Sequence, residues 1–349
     1  MKIMNLKKVF VLLLLAVSSC NDPETVVTNI IHPDGSVTRK IEVRNKENNF
    51  KVKDLQVPYD DTWTVKDSME ISAKGDTTWI RRAEKLFLSA DYINLTYKND
   101  SSHNKAAVRH AEFRKRFRWF NTDYYYSEGI GSILRFGYPL SDYLNKEQLA
   151  YFYLPSKVAN NLRNGADSLK YKILDDSIKA GTDLWTIRSL VSEWIGEFDL
   201  QAKGRPEREL SLEVLRSREN DFMKTLEKYQ KNFDSLWTAG VVPKDLFGEQ
   251  IAKKYKPQLD SAIAVVTRKS LIPFKDYTIR VIMPGKLTGT NGFPDSSRVL
   301  VWPVKSDFFF TEPYLMWAES KTTNVWAWIV SGAFLVFVVT GLIIRRFRK

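Results

Sequence analysis

Residues 25–43 read TVVTNIIHPDGSVTRKIEV, and the turn in their middle decides the fold class. Pro33-Asp34-Gly35 separates two apolar-rich runs, 26–31 and 37–43. In the second, Val37, Ile41 and Val43 alternate with Thr38, Lys40, Glu42 and Arg44. Alternation at period two marks strands with one buried face, and a Pro/Asp/Gly cluster between such strands marks a hairpin. Lys74-Gly75-Asp76 is a second turn of this kind, between runs at 69–72 and 77–80. These are antiparallel signals.

Working outward, strand patterns return near the other end, at 277–283 before Pro284-Gly285, at 299–302 after a turn-rich stretch, and at 308–318. The middle differs. Thr182 is expected to cap a helix that carries Leu184, Ile187, Leu190, Val191, Trp194, Ile195 and Phe198 on one face. Beyond Gly204-Arg205-Pro206, a second helix is expected to start with Glu207 and Glu209 and to end before Gly240. Leu212, Leu215, Phe222, Leu226, Tyr229, Phe233 and Leu236 would form one stripe along it, about 45 Å long. Such a stripe is expected to pack within its own domain.

The expected fold is therefore α+β: an antiparallel sheet from N- and C-terminal strands, a long helical insertion, and one C-terminal transmembrane helix. The expected division is a signal peptide at 1–19, a strand-rich region at 20–139, a helical region at 140–268 and sheet-completing strands at 269–320. A polar linker at 321–324, the helix at 325–344 and a basic tail at 345–349 follow.

The two ends carry the membrane signals. Lys2, Lys7 and Lys8 precede the apolar run VFVLLLLAV and then Ser18-Ser19-Cys20. That run is too short to span a bilayer, which takes about 20 residues, and it has the zones of an export signal. Val17-Ser18-Ser19-Cys20 resembles the bacterial lipobox. The resemblance implies that Cys20 receives diacylglycerol and further acyl chains such as palmitate. Cys20 is the only cysteine in the chain, so an exported domain would otherwise carry one unpaired thiol. Residues 325–344, VWAWIVSGAFLVFVVTGLII, contain no charge and span about 30 Å as a helix. Trp326 and Trp328 lie at one edge and Arg345, Arg346, Arg348 and Lys349 at the other. The positive-inside rule puts the tail in the cytoplasm and the body outside.

The formal charge of +12 looks like a nucleic-acid signal until it is apportioned. The leader holds three cations and the tail four, leaving 46 cations against 41 acids between them. That surplus is an ordinary surface field, and no nucleic-acid partner is expected.

Pro284-Gly285-Lys286, Asn291-Gly292 and Trp302, with a lipobox and a terminal membrane helix, resemble bacterial envelope lipoproteins. Over about the last fifth of the chain they are similar to the LppM-type lipoproteins of mycobacteria. The resemblance implies a domain that binds amphiphiles or envelope components without catalysis, and it carries over no functional residues. The long helical middle departs from it.

Catalytic residue types are few. His32, His103 and His110 lack metal-ligand spacing, and G-x-S-x-G, Walker and H-E-x-x-H sequences are absent, so neither a metal nor a cofactor is expected. Asp60-Asp61 and Asp175-Asp176 are the paired acids, the first in a Pro58-Tyr59 turn where acids bond their own backbone. The densest signal is HAEFRKRFRWFNTDYYY at 110–126. On a strand it would put Arg116, Arg118 and Phe120 on one face and Lys115, Phe117 and Trp119 on the other. Arg114, Arg116 and Arg118 are the candidate anion site. The expected function is a non-enzymatic envelope lipoprotein of the bacterial inner membrane that binds a partner protein, an amphiphile or an anionic envelope component. The alternative is an envelope hydrolase working through two carboxylates.

Overall fold

The computed structural model describes residues 24–203, 210–295, 297 and 299–348. Cys20, the leader, Glu207 and Glu209 lie outside the described residues. In chain order the elements are β1 (Glu24–Ile31), β2 (Val37–Asn45), β3 (Thr64–Ile71), β4 (Thr77–Phe87), α1 (Ala90–Lys98), β5 (Arg109–Phe117) and β6 (Asn121–Ile130). Helices α2 (Lys146–Phe152), α3 (Ser156–Arg163), α4 (Ser168–Ala202), α5 (Leu212–Ser217), α6 (Glu219–Tyr229), α7 (Phe233–Thr238), α8 (Val241–Phe247), α9 (Glu249–Lys254) and α10 (Lys256–Ser270) follow. The chain then forms β7 (Tyr277–Ile282), β8 (Lys286–Thr290), β9 (Phe293–Pro294), β10 (Leu300–Val304), β11 (Tyr314–Thr323) and α11 (Val325–Phe347).

The fold is mixed α+β with a long helical insertion and one C-terminal apolar helix. It divides into two compact units, one of strands from both ends of the chain together with α11, the other of residues 131–276 and 305–314. In the first unit β3-β4-β2-β1-β7-β10-β9 form one sheet and β5-β6-β11-β8 another. The turn at 33–35 works as its composition requires. Gly35 has φ +97°, and Asp34 accepts from the Ser36 amide at 2.9 Å. One pairing departs from the antiparallel pattern, because β1 and β7 run parallel with Val27 opposite Ile279. Parallel strands cannot be joined by a tight turn, and residues 32–276 lie between these two.

Strand alternation sets the interior. Val27, Ile31, Val37, Ile41 and Val43 are buried, and so are Asn29 and Arg39 on the same faces. The two sheets meet through these polar groups, since Asn29 and Arg39 both reach Glu128 of β6. Near the C-terminal turns, Gly285 has φ +74° beside the Lys321 carbonyl, and a side chain at Gly292 would collide with the Trp302 ring. Asn291 Oδ1 accepts from Trp302 Nε1 at 3.0 Å and from the Trp317 amide at 2.9 Å. The Pro-Gly, Asn-Gly and Trp signals thus hold β8, β10 and β11 together.

The helical unit differs in two places from the sequence reading. Thr182 does not begin a helix: α4 starts at Ser168, and the Thr182 hydroxyl donates back to the Ile178 carbonyl at 2.9 Å, which lets Thr sit inside a helix. The long stripe is not one rod. It breaks into α5, α6 and α7, with Arg218 between the first two hydrogen-bonded to the Leu246 carbonyl. Most of the stripe still turns inward: Leu215, Phe222 and Phe233 pack with Trp194, Phe198, Trp237 and Tyr255 in one core, while Leu212 is exposed. Where 308–318 reads as one strand, a 3-10 turn at Ser306–Phe309 comes first and β11 begins at Tyr314.

Candidate functional site

The feature that stands apart from ordinary packing is the tip of the β5–β6 hairpin. Phe117 pairs with Thr122, and Arg118 and Asn121 exchange amide hydrogen bonds of 2.8 and 3.1 Å. Trp119 and Phe120 are left as the turn. Tight hairpin turns favour Gly, Asn and Asp, so two large aromatic residues there are costly unless another surface receives them.

That surface is the start of α11. In the second sheet β6 and β11 are neighbours running in opposite directions, with the Tyr124 hydroxyl 3.2 Å from Thr322 Oγ1. The hairpin tip therefore arrives where β11 ends and α11 begins. Phe117 stacks on Trp326 with centroids 6.3 Å apart, Trp119 meets Trp326 edge-on at 5.1 Å, and Phe120 meets Trp328 at 4.4 Å. Trp119 Nε1 donates to Ser331 Oγ at 3.0 Å.

Asn324 is the junction. Its amide donates to the Phe120 carbonyl at 2.9 Å, its Nδ2 donates to the Arg118 carbonyl at 2.7 Å, and its Oδ1 accepts from Thr122 Oγ1 at 3.0 Å. Residues 321–323, read from sequence as part of a linker, belong to β11, so one residue separates strand from helix.

The cationic residues lie just before the tip. Arg114 and Arg116 share the outer face of β5 and are exposed, as is Arg118 at the strand's end. Arg114 Nε is 3.0 Å from Glu112 and lies over the Tyr125 ring, and Arg118 Nε is 2.6 Å from Asp123. Arg116 has no ion-pair partner among the described residues. Lys115, on the opposite face, donates to the Pro33 carbonyl at 2.8 Å. Exposed pairs contribute only about 0–1 kcal/mol, so the contacts to Glu112 and Asp123 hold these arginines weakly. The sequence showed the arginines and aromatics. It did not show that Asn324 and Ser331 complete the cluster, because that depends on β6 lying beside β11.

The acids are placed differently. Glu128, buried, accepts from Tyr97 at 2.7 Å and Tyr126 at 2.6 Å, besides Asn29 and Arg39. Burial pushes both phenols well above the usual tyrosine range, so they remain donors. Glu193 accepts from the Arg135 and Phe136 amides at 2.8 and 2.6 Å and from Lys269 at 2.6 Å. Asp60 accepts from the Thr62 amide at 3.0 Å in the turn expected for it, and its bonds to Thr62 hold its carboxyl below the usual value. Asp175 is paired with Arg163. His32 Nε2 lies 2.8 Å from Thr38 Oγ1, and His110 is exposed on β5.

A cavity of about 440 Å³ opens in the sheet-bearing unit. Leu86, Phe87, Leu88, Tyr92 and Leu95 line it, with Lys85 and Asp60 as its charged groups.

No protein-family profile matches the chain, and no curated protein matches it. Among solved structures it is similar to the folded domain of the Mycobacterium tuberculosis LppM protein, determined by NMR, at 10% identity. The match covers 87% of this chain and 92% of that one, with a TM-score of 0.27.

Proposed function

We propose that this chain is a non-enzymatic cell-envelope lipoprotein of the bacterial inner membrane, held by a lipid on Cys20 and by α11, that binds an anionic envelope component through Arg114, Arg116 and Arg118. One observation carries the reading: the cationic strand β5 ends in an aromatic turn docked on the first turns of a 23-residue helix that carries no charge before Arg345. A helix of that length and composition spans a bilayer, and Trp326 and Trp328 suit its interfacial edge. Cations a few residues above that edge fall at the level of lipid phosphates.

The competing hydrolase needs two carboxyl groups facing one cleft. Glu128 and Glu193 are spent on internal hydrogen bonds, and the 440 Å³ cavity is mainly apolar with one acid. A second cavity, of about 310 Å³, is lined by Asp175 and Asp307, but Asp175 there is tied to Arg163 in an ion pair, and the balance favours binding over hydrolysis.

The test uses the full-length protein purified from membranes with its bound lipid. In the variant Arg114→Gln/Arg116→Gln/Arg118→Gln, the enrichment of anionic over zwitterionic headgroups is expected to fall while the unfolding midpoint stays the same. Unchanged enrichment overturns the anion site.

A further inference from the structure

We infer that the Trp119–Phe120 turn is itself embedded in the bilayer that α11 crosses, so that a wedge as well as a helix fixes the body to the membrane surface. The inference rests on α11 being a spanning helix.

Depth is the first ground. Ser331 lies six residues beyond Val325, about 9 Å along the axis, and Trp119 reaches it. An indole at that level sits at or below the interfacial belt set by Trp326 and Trp328.

Polar satisfaction is the second. In hydrocarbon an unpaired donor or acceptor costs several kcal/mol. The Trp119 N–H and the Ser331 hydroxyl answer each other, and Asn324 is bonded to Arg118, Phe120 and Thr122. The Trp119 indole N–H and the Trp119 and Phe120 carbonyls of the turn are thus paired within the protein.

The remaining surface is the third. After docking on α11, Phe117, Trp119 and Phe120 are still 57%, 47% and 36% exposed. Beside this apolar face, Phe334 and Leu335 of α11, one turn beyond Ser331, are exposed as well. The occupant that covers both without a break is lipid. Charge placement agrees: Trp119 and Phe120 are uncharged, Arg116 is three residues before Trp119, about 10 Å along an extended strand, and the adjacent Arg118 is paired with Asp123. Trp is the side chain best suited to that boundary.

The test is site-specific photocrosslinking in native membranes with p-benzoylphenylalanine, which captures nearby C–H bonds. It is placed in separate full-length proteins as Phe120→p-benzoylphenylalanine, at mid-helix Phe337, and at Lys74 in the β3–β4 turn. Adducts are read by mass spectrometry. The expected result is lipid adducts from 120 and 337 and none from 74. Lipid adducts from 337 with only protein adducts, or none, from 120 overturn the wedge and leave the spanning helix standing. Absence of lipid adducts at both positions removes the spanning reading and the wedge with it, and equal lipid adducts at 74 overturn the wedge as a distinct contact.

Discussion

Trp119 donates its indole N–H to the hydroxyl of Ser331 across 3.0 Å, although 212 residues separate them in the chain. The bond joins a hairpin tip to the second turn of the apolar helix α11. If it contributes as polar contacts in membranes do, Trp119→Phe and Ser331→Ala each cost about 1 kcal/mol, and their coupling in a double-mutant cycle is about 0.6–1.7 kcal/mol. Unfolding of the full-length protein in bicelles checks this. Strict additivity contradicts the contact.

Asn324 links strand and helix through both ends of its side chain. Asn324→Ala leaves the Trp119 carbonyl and the Thr122 hydroxyl without their side-chain partner, while the Arg118 carbonyl keeps the Asn121 amide, at a cost of about 1–3 kcal/mol. Hydrogen exchange at the Arg118 and Asn121 amides is expected to speed up while exchange in β1 and β2 does not change. Inserting Gly-Ser between Asn324 and Val325 should act the same way, because it separates β11 from α11.

Inside the sheet-bearing unit, Arg39 and Glu128 form a buried ion pair at 3.5 Å. Breaking such a pair from one side costs about 3–5 kcal/mol, because a charge is left uncompensated. Arg39→Met alone is therefore expected to destabilise more than Arg39→Met combined with Glu128→Gln. Denaturant midpoints report the order, and a double variant as unstable as the sum of the singles contradicts it.

Low pH should loosen the β3–β4 hairpin first. Arg81 binds Asp67 with two hydrogen bonds, of 2.7 and 2.6 Å, and these hold the carboxyl below its usual value. A depressed folded-state value stabilises above the unfolded value, about 4, and that stability is lost as pH falls through the folded value. Amide protection in β3, corrected for intrinsic exchange, is expected to drop below pH about 4. In Asp67→Asn this acid step disappears.

Local chemistry was legible where a short segment decides its own structure. The 33–35 turn, the 74–76 turn and the Asp60 turn each follow from a few residues bonding their own backbone. Inward polar positions were not legible from residue type, since Asn29 and Arg39 hold the parity of Val27, Ile31, Val37 and Ile41 but carry side chains usually given to solvent. They are buried because three strands bring donors to the Glu128 carboxylate. The long stripe was legible as a buried face but not as a broken rod, because the break at Arg218 is tied to the Leu246 carbonyl of another helix. The arginines and the aromatic turn stood out in sequence, whereas their docking on Trp326, Trp328 and Ser331 depends on β6 and β11 being neighbours. Pairing between distant strands leaves no local signature.

The central claim is a body outside the membrane joined directly to a helix that crosses it. Protease protection on intact spheroplasts tests it most directly, with one epitope in the body at the β3–β4 turn and another after Lys349. Added protease is expected to destroy the body epitope and leave a small membrane-bound fragment that retains the C-terminal epitope. Survival of the body epitope, or loss of the C-terminal one before lysis, would contradict it.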